Sequence, residues 1–375
     1  MVQKHSMPVA FSLDRPLALA APPSFKYLPH GTFSAELQRR VALHLASGDR
    51  VGDGLAMAVK TAVVLGGLIG TYLLLLLGYA EPAWQAALVS IALGFAMAVV
   101  GFNVPHDACH GAYSSRPRLN RWMALTLDLM GASSYVWSWK HNVAHHSHPN
   151  VVGRDVDIDV QPLCRMAPGQ PRRSWHRFQH FYVWILYGLL GFKWQFIDDF
   201  KDLARGRIGA QRIPRPRGWS LVSFIAGKLF FLTWALVLPL WIYPPAGVAF
   251  CFVLATASLG LTSAVTFQLA HVVEDVAFAE SEGFQGTATE WAVHQVRTTA
   301  DFAPDCRWLT WLLGGLNFQI EHHLFPRLCH LQLRGIAPIV REVCREHGVT
   351  YHVHQSVWAA LASHVRWMRQ LGRAR

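Results

Sequence analysis

The sequence predicts an all-α membrane protein with four transmembrane helices. Of its 375 residues, 52% are apolar and only 15% are charged, which is too apolar for an ordinary soluble enzyme. Several apolar runs also exceed the roughly 18 residues that indicate a membrane span. Lysine and arginine collect in the polar segments outside these runs. Because such residues concentrate on the cytoplasmic side of a membrane, those segments and both termini are predicted to be cytoplasmic.

The N-terminal part of the chain is predicted to be separate from the membrane domain. Residues 1–56 are polar and rich in proline, and residues 57–375 contain all the apolar runs. No basic-then-apolar signal peptide with a small-residue cleavage site opens the chain. Phe33–Leu45, with Ser34 as a candidate N-cap, is predicted to form a short amphipathic helix on the membrane surface.

Four apolar runs are long enough to cross a bilayer. Glu81-Pro82 separates the first pair of runs, and Pro244-Pro245 separates the second pair. Neither turn contains lysine or arginine, so both are predicted to lie on the non-cytoplasmic side. The predicted spans cover residues 57–79, 84–104, 219–243 and 246–270.

Three polar segments are predicted to share the cytoplasmic side. Residues 1–56, 106–218 and 272–375 contain 6, 16 and 10 lysines and arginines respectively. Within the central segment, Trp122–Trp139 and Phe181–Trp194 are weaker apolar stretches. Each is predicted to be a helix at the membrane interface, the second of them in the headgroup plane.

Net charge and cysteine usage exclude two classes of function. The net charge of +11 does not predict a nucleic-acid partner, because the arginines are not interleaved with base-stacking aromatic residues on a soluble domain. The charge is better explained by loops that face anionic headgroups. The six cysteines are scattered without a CxxC pair, which argues against a disulfide framework and a cysteine metal site.

Three histidine clusters, HDACH, HNVAHH and QIEHH, lie at or beside predicted span ends. Residues i and i+4 of a helix lie on one face, so HxxxHH is expected to offer two nitrogens to one metal and a third to a neighbouring metal. Imidazole is a common ligand of iron, zinc and copper. An isolated HxxxH is weak evidence, but three clusters on one membrane face predict a metal site. The predicted ligands are His106, His110, His141, His145, His146, His322 and His323.

Residues near the clusters extend this prediction. His271 closes the fourth span, where an ionisable group is costly without a partner, and it is the eighth candidate ligand. Gln319 precedes the histidine pair of the third cluster by one turn and is expected to ligate weakly or to hold a bound water. Asp107 and Glu321 lie inside clusters and are expected to orient ligating imidazoles.

The remaining candidates are predicted to support the site or to be unrelated to it. His294 is ambiguous, and a supporting role beside the ligands is favoured. Asp155, Asp157 and Asp159 either orient imidazoles or form a solvated acidic loop, and the sequence leaves both open. His148 is expected to be structural or supporting. No metal role is predicted for His176 and His180, and ordinary surface positions are predicted for His5, His30, His44, His330, His347, His352, His354 and His364.

Histidine rather than carboxylate ligands suit a site at a membrane interface. Soluble di-iron oxygenases use bundles rich in glutamate. Neutral imidazoles bring no net negative charge into an apolar setting, so their burial costs less. A histidine-bound pair of irons can still activate O2, and an acyl chain arriving from the bilayer would explain a site beneath four spans.

The three boxes resemble those of the integral-membrane fatty acyl desaturases. The resemblance covers about residues 100–350 and includes NVPHDACHGAYS, WKHNVAHHSHPNVVGRDVDID, WAVHQVRTTADF and GGLNFQIEHHLFPRL. It is closest to the branch of bacterial linoleoyl-CoA and front-end desaturases, whose third box begins with glutamine. It implies four transmembrane helices over a cytoplasmic helical cap with two non-haem irons, held by the eight histidines. It also implies O2-dependent removal of two hydrogens from a fatty acyl chain. Other branches place histidine at the position of Gln319.

The resemblance also bears on electron supply. Many front-end desaturases carry a fused cytochrome b5 domain with an HPGG motif, and neither terminus shows this motif. The chain also lacks a Gly-rich dinucleotide fingerprint. Electrons are therefore expected from a separate carrier, such as ferredoxin or cytochrome b5 with its reductase. Arginines of the central segment are expected either to dock an acidic carrier or to contact anionic lipid: Arg172, Arg173, Arg177, Arg205, Arg207, Arg212, Arg215 and Arg217.

Several alternatives stay open on the sequence alone. The substrate is an acyl-CoA, an acyl-lipid or an acyl carrier protein thioester. A membrane di-iron hydroxylase or ketolase acting on a lipid would share the same frame. A haem-binding electron carrier is disfavoured because its histidines would face each other across different helices. A metal transporter is disfavoured because its ligands would lie at mid-membrane.

Overall fold

The computed structural model describes residues 27–29, 31–47, 54–280 and 290–374, and within them the chain is mostly helical, with very little sheet. The surface positions predicted for His5 and His30 lie outside the described residues, as does much of the predicted N-terminal segment. The α-helices are α1 Thr32–Ala46, α2 Leu55–Leu76, α3 Ala83–Asn103, α4 Pro105–His110, α5 Pro117–Leu129, α6 Ser134–Ser138, α7 Gln179–Lys193, α8 Asp199–Arg205, α9 Trp219–Leu232, α10 Leu238–Ile242, α11 Pro245–His271, α12 Trp291–Arg297, α13 Arg307–Leu312, α14 Gln319–Leu324, α15 His330–Glu346 and α16 Val357–Arg373.

Short irregular elements connect these helices. Three π-helical turns cover Trp139–His145, Trp194–Asp198 and Thr233–Val237, and Ser174–Phe178 is a 3-10 helix. The strands are two residues long: β1 Val151–Val152, β2 Arg207–Ile208, β3 Gln211–Arg212, β4 Ala279–Glu280, β5 Asp301–Phe302 and β6 Val353–His354. β1 pairs with β4 and β5 with β6 in parallel, and β2 with β3 antiparallel.

Four helical segments in the described residues are long and apolar enough to cross a membrane, which confirms the predicted number of spans. The second is longer than predicted, because α3 continues into α4 and carries the first histidine cluster. α3 packs closely on α11: a Cβ at Gly94 would lie 1.9 Å from the Ala255 carbonyl oxygen, so only glycine allows this approach. The four segments are Leu55–Leu76, Ala83–His110, Trp219–Ile242 and Pro245–His271.

The prediction that Phe181–Trp194 lies in the headgroup plane is wrong. α7 instead packs antiparallel along the span α11, and glycines permit the contact. A Cβ at Gly260 would lie 2.6 Å from the Tyr187 carbonyl oxygen, and one at Gly191 would lie 2.5 Å from that of Thr256. Further along, the rings of Phe196 and Phe252 are 6.0 Å apart. The segment is too short to cross a membrane alone. One face, with Val183 and Tyr187, is buried in the protein, and the other, with Phe181 and Ile185, is exposed, so the helix can lie beside a span.

Two other predicted helices differ from the structure. Trp122–Trp139 is not continuous, because the chain turns at Gly131 (φ 93°) between α5 and α6. A Cβ there would meet the Phe231 ring at 2.7 Å, so the turn needs glycine. α1 is helical as predicted, but its apolar face packs inside the protein against α12 and α15 rather than on a membrane surface. Its N-cap is Gly31, while the Ser34 hydroxyl donates to Glu290 Oε2 at 2.7 Å.

Candidate metal centre

The three histidine clusters and His271 meet at one end of the span bundle. α4 carries the first cluster directly below α3, and α14 carries the third. The second lies on a π-helical turn, in which the His146 amide donates to the His141 carbonyl at 2.9 Å. Single π turns in helices frequently mark functional sites. All eight predicted ligands are therefore neighbours in space.

The first group of converging nitrogens contains histidines from all three clusters. Each offers one ring nitrogen, and these nitrogens lie within 4.8 Å of one another. The Trp137 indole stacks on the His141 ring at 4.2 Å and covers one side of the group. The members are His106, His110, His141 and His322.

The second group contains His145, His271 and His323, again with one nitrogen each within 4.8 Å of the others. The His145 ring lies 4.7 Å from that of His271 and 5.0 Å from that of His323. His141 therefore belongs to the first group and His145 to the second. Both also lie in a further set of converging atoms with Asp157. This grouping differs from the expectation that the i and i+4 nitrogens of HxxxHH bind the same metal.

His146 lies between the two groups. Its Nε2 is 3.1 Å from Nε2 of His141 and 3.0 Å from Nε2 of His322. Its ring stacks on that of His323, with centroids 4.3 Å apart. The eight imidazoles thus form one continuous cluster that extends over both groups.

The chemistry of this donor set fits metal cations. Nε2 of His106, His110 and His323 is buried without a hydrogen-bond partner in the described part of the chain. Each such orphaned polar atom costs about 1–3 kcal/mol, which a bound cation would offset. Burial, followed by the neighbouring imidazoles, lowers the pKa of four ring groups well below its usual value, so these rings are neutral and ready to ligate: His141, His146, His322 and His323.

Asp155 is hydrogen-bonded to one predicted ligand of the second group. Its carboxylate accepts from His145 Nδ1 at 3.1 Å and from the Asn150 amide at 2.8 Å. Burial, the largest single effect, lowers the pKa of His145, but the charge and the hydrogen bond of Asp155 together with the charge of Asp157 outweigh it, so that the pKa is raised. The carboxylate leaves Nε2 of His145 for a metal, the usual arrangement around ligating histidines. The sequence left open whether the acidic residues of this loop orient imidazoles or are solvated. Asp155 fits the first alternative and the exposed Asp159 fits the second. Asp157 Oδ2 lies 3.5 Å from His145 Nδ1.

Two amide side chains also contact the second group. Gln295 Oε1 accepts from His323 Nδ1 at 2.8 Å, which aims Nε2 of that ring toward its neighbours. Gln319 Nε2 lies 3.1 Å from Nε2 of His271, so Gln319 reaches the edge of the group as its sequence position suggested. Gln295 was not among the residues predicted from the sequence. The signal that could have found it is a buried amide directly after His294 in the short helix α12.

Two of the predicted supporting roles differ in the structure, while that of His294 does not. His294 Nε2 is 3.0 Å from the Pro149 carbonyl oxygen, and His294 belongs to neither group of nitrogens, so its contact with the loop after the second cluster fits the favoured supporting role. Glu321 does not orient an imidazole, because it accepts from the Tyr351 hydroxyl at 3.0 Å. Asp107 contacts His106 only at 3.6 Å.

Asp107 mainly serves a histidine outside the boxes. Its Oδ2 accepts from His330 Nδ1 at 2.8 Å, and His330 Nε2 lies 2.7 Å from Lys60 Nζ. The prediction of a surface position is therefore wrong for His330, and also for His364, whose Nδ1 donates to the Val272 carbonyl at 2.6 Å. Both rings are buried because long-range partners satisfy them, which residue type alone does not reveal.

A narrow apolar cavity of about 50 Å³ reaches the cluster from inside the span bundle. His106 and Trp137 are among its lining residues, and most of its walls come from α3, α5, α7 and α11. Gln195 and Ser263 are among its few polar lining residues. The other lining residues are Met97, Ala98, Gly101, Phe102, Pro105, Leu127, Met130, Ala132, Gly191, Trp194, Leu259 and Phe267.

Comparisons with known proteins agree with this architecture. Residues 82–355 match the sequence profile of the fatty acid desaturase family. The sn-1 linoleoyl-lipid 6-desaturase of Arthrospira platensis is 37% identical over 90% of this chain and 92% of its own length. That of Synechocystis is 36% identical over 93% and 98%. The acyl-lipid (8-3)-desaturase of Physcomitrium patens is 37% identical over 84% and 66%. The chain therefore belongs to the fatty acid desaturase family and is a membrane oxidoreductase of lipid metabolism.

Proposed function

We propose that this protein introduces a double bond into a fatty acyl chain of a membrane lipid, using O2 at a non-haem di-iron centre and electrons from a separate carrier protein. Family membership supports desaturation as the reaction class. The observation that carries the rest is the cluster of eight histidines, one of which, His106, lines an apolar cavity.

The two groups of nitrogens define the proposed ligands. His106, His110, His141 and His322 would hold one iron, and His145, His271 and His323 the other. His146 lies within reach of both groups and completes the set. Gln319 stands at the edge of the second group, as a weak ligand or as the holder of a bound water. Such an iron pair would supply the activation of O2 that removal of hydrogen from a saturated carbon requires.

The side chains around the cluster position its ligands and exclude water. Asp155 and Gln295 fix the rings of His145 and His323 through their Nδ1 atoms, so that each Nε2 faces inward. Trp137 stacks on His141 of the first group and also lines the cavity. A mostly hydrocarbon lining favours an acyl chain over a polar substrate, because it offers few polar groups to pair with.

The similar proteins favour a lipid-linked substrate among the three headgroups that the sequence leaves open. Several of the similar proteins are lipid-linked or acyl-lipid desaturases, which place double bonds at different positions. We therefore propose an acyl-lipid rather than an acyl-CoA or an acyl carrier protein thioester. Ferredoxin or cytochrome b5, with its reductase, is the proposed electron donor.

The central experiment is expression in a host that lacks polyunsaturated lipids, followed by mass spectrometry that locates double bonds in each lipid class. We expect a new double bond in intact membrane lipids, and none with His145→Ala at an equal membrane level. A hydroxylated or keto product would assign the site to a hydroxylase or ketolase. Elemental analysis of active protein should give two irons per chain, and one metal or none would contradict the di-iron proposal.

A further inference from the structure

A basic groove lies between the start of α7 and the last turns of α16, away from the histidine cluster. Its volume is about 660 Å³. Among the described residues that line it there are five arginines and no carboxylate. The lining residues are Arg172, Arg177, Phe178, His180, Phe181, Val365, Arg366, Arg369 and Arg373.

The positive charge of this groove is largely uncompensated. Within the described chain, Arg366 alone of its arginines forms an ion pair, with Glu274 at 2.7 Å. Arg369 and Arg373 are exposed, and both face His180. Partial burial, together with these two charges, lowers the pKa of His180. The groove therefore has a positive potential suited to an anion.

An apolar stripe begins at the same place. Three side chains of α7, spaced four residues apart, point outward with exposed fractions of 70%, 68% and 55%. They are Phe181, Ile185 and Leu189, and Phe181 also lines the groove. The opposite face of α7 packs on the span α11, so the stripe faces outward beside a transmembrane helix. Such a surface suits acyl chains.

We propose that this groove binds the phosphate of an anionic membrane phospholipid, whose acyl chains lie along the α7 stripe. A single guanidinium can bind phosphate oxygens through two parallel N–H groups, and two such groups are close together here because the exposed Arg369 and Arg373 are one turn apart on α16. An acidic electron carrier would match the charge but not the stripe. The continuity of the basic and apolar surfaces favours lipid.

The test is a titration of the purified full chain, in neutral detergent, with phosphatidylglycerol, read by native mass spectrometry. Each basic residue near an anionic lipid surface contributes a free energy that corresponds to about a fivefold change in affinity. Arg369→Gln combined with Arg373→Gln should therefore weaken binding about thirtyfold. The matched control is Arg39→Gln with Arg345→Gln, two exposed arginines on α1 and α15. It removes the same charge and should leave the affinity unchanged.

Further ligands separate the sources of phosphate. Phosphatidylcholine and glycerol phosphate should each bind at least tenfold more weakly than phosphatidylglycerol. Phe181→Ser with Ile185→Ser should reduce the preference for phosphatidylglycerol over glycerol phosphate, because only the lipid has acyl chains. Equal binding of glycerol phosphate would overturn the lipid assignment in favour of a small-anion site. Equal loss in both arginine variants would overturn the groove as the site. Unchanged lipid binding with slower reduction by an acidic carrier would assign the groove to protein docking instead.

Discussion

Replacing Asp155 with Asn should weaken metal retention without displacing the loop. The carboxylate is buried and accepts from His145 Nδ1 at 3.1 Å and from the amides of Asn150 and Asp157 at 2.8 and 2.9 Å. An asparagine keeps the shape but turns one acceptor into a donor, so at least one of these N–H groups loses its partner. A hydrogen bond to a charged group contributes about 1.5–3 kcal/mol, which corresponds to roughly ten- to hundredfold in affinity.

The assay is the iron content of purified protein after dialysis against increasing chelator, with product formation measured in parallel. Asp155→Asn should lose iron at a chelator concentration roughly ten- to hundredfold lower than the unchanged chain does, in line with other partners of ligating histidines. Asp159→Asn is the matched control, because Asp159 is an exposed carboxylate of the same loop. If Asp155→Asn retained iron like the control, the assignment of Asp155 as the partner of a ligand would be refuted.

Three further predictions follow from the same cluster and from the proposed electron supply. His271→Ala should abolish product formation while the protein stays in the membrane, and Gln319→Ala should reduce it only in part; full activity of the first variant in a lipid assay would remove His271 from the ligand set. Glu321→Gln should retain iron and activity, because burial and the nearby Asp301 raise the pKa of Glu321 well above its usual value and keep it protonated like the amide; a large loss of iron in the chelator assay would mean that its charge matters. Purified enzyme with substrate, O2 and NADPH should be inactive until a reductase and an acidic carrier are added, and turnover with NADPH alone would reveal an overlooked redox module.

The parts of the site that sequence could predict are those fixed by local spacing. Two histidines four residues apart on a helix stay neighbours whatever the surrounding fold, so the proximity of His106 and His110 could be predicted directly from their spacing. The four spans were readable because apolar length alone defines them. His271 was readable because an ionisable residue at a span end needs a partner.

The parts that sequence missed depend on contacts between distant segments. Asp155 and Asp159 look alike in the chain, and only their burial separates a partner of His145 from a solvated carboxylate. Gln295 and His330 gain their roles from residues 28 and 223 positions away. α7 was predicted to lie at the interface because it is too short to span. Its position beside α11 depends on Gly191 and Gly260, which let the two backbones approach closely, and this contact is not visible from length.

The continuity of α3 with the first histidine cluster has a consequence for where along a substrate the reaction occurs. α3 supplies walls of the cavity at Met97, Ala98 and Gly101, and the same helical segment continues to His106 and His110, two of the proposed ligands. Distance along this segment is thus distance from the proposed metal centre, at about 1.5 Å for each residue. Under the proposed function, an acyl chain in the cavity would have its carbon atoms measured against fixed positions on α3. A bulkier side chain one helical turn further from His106 would then shift the closed end of the cavity by about 5.4 Å and leave the histidines in place.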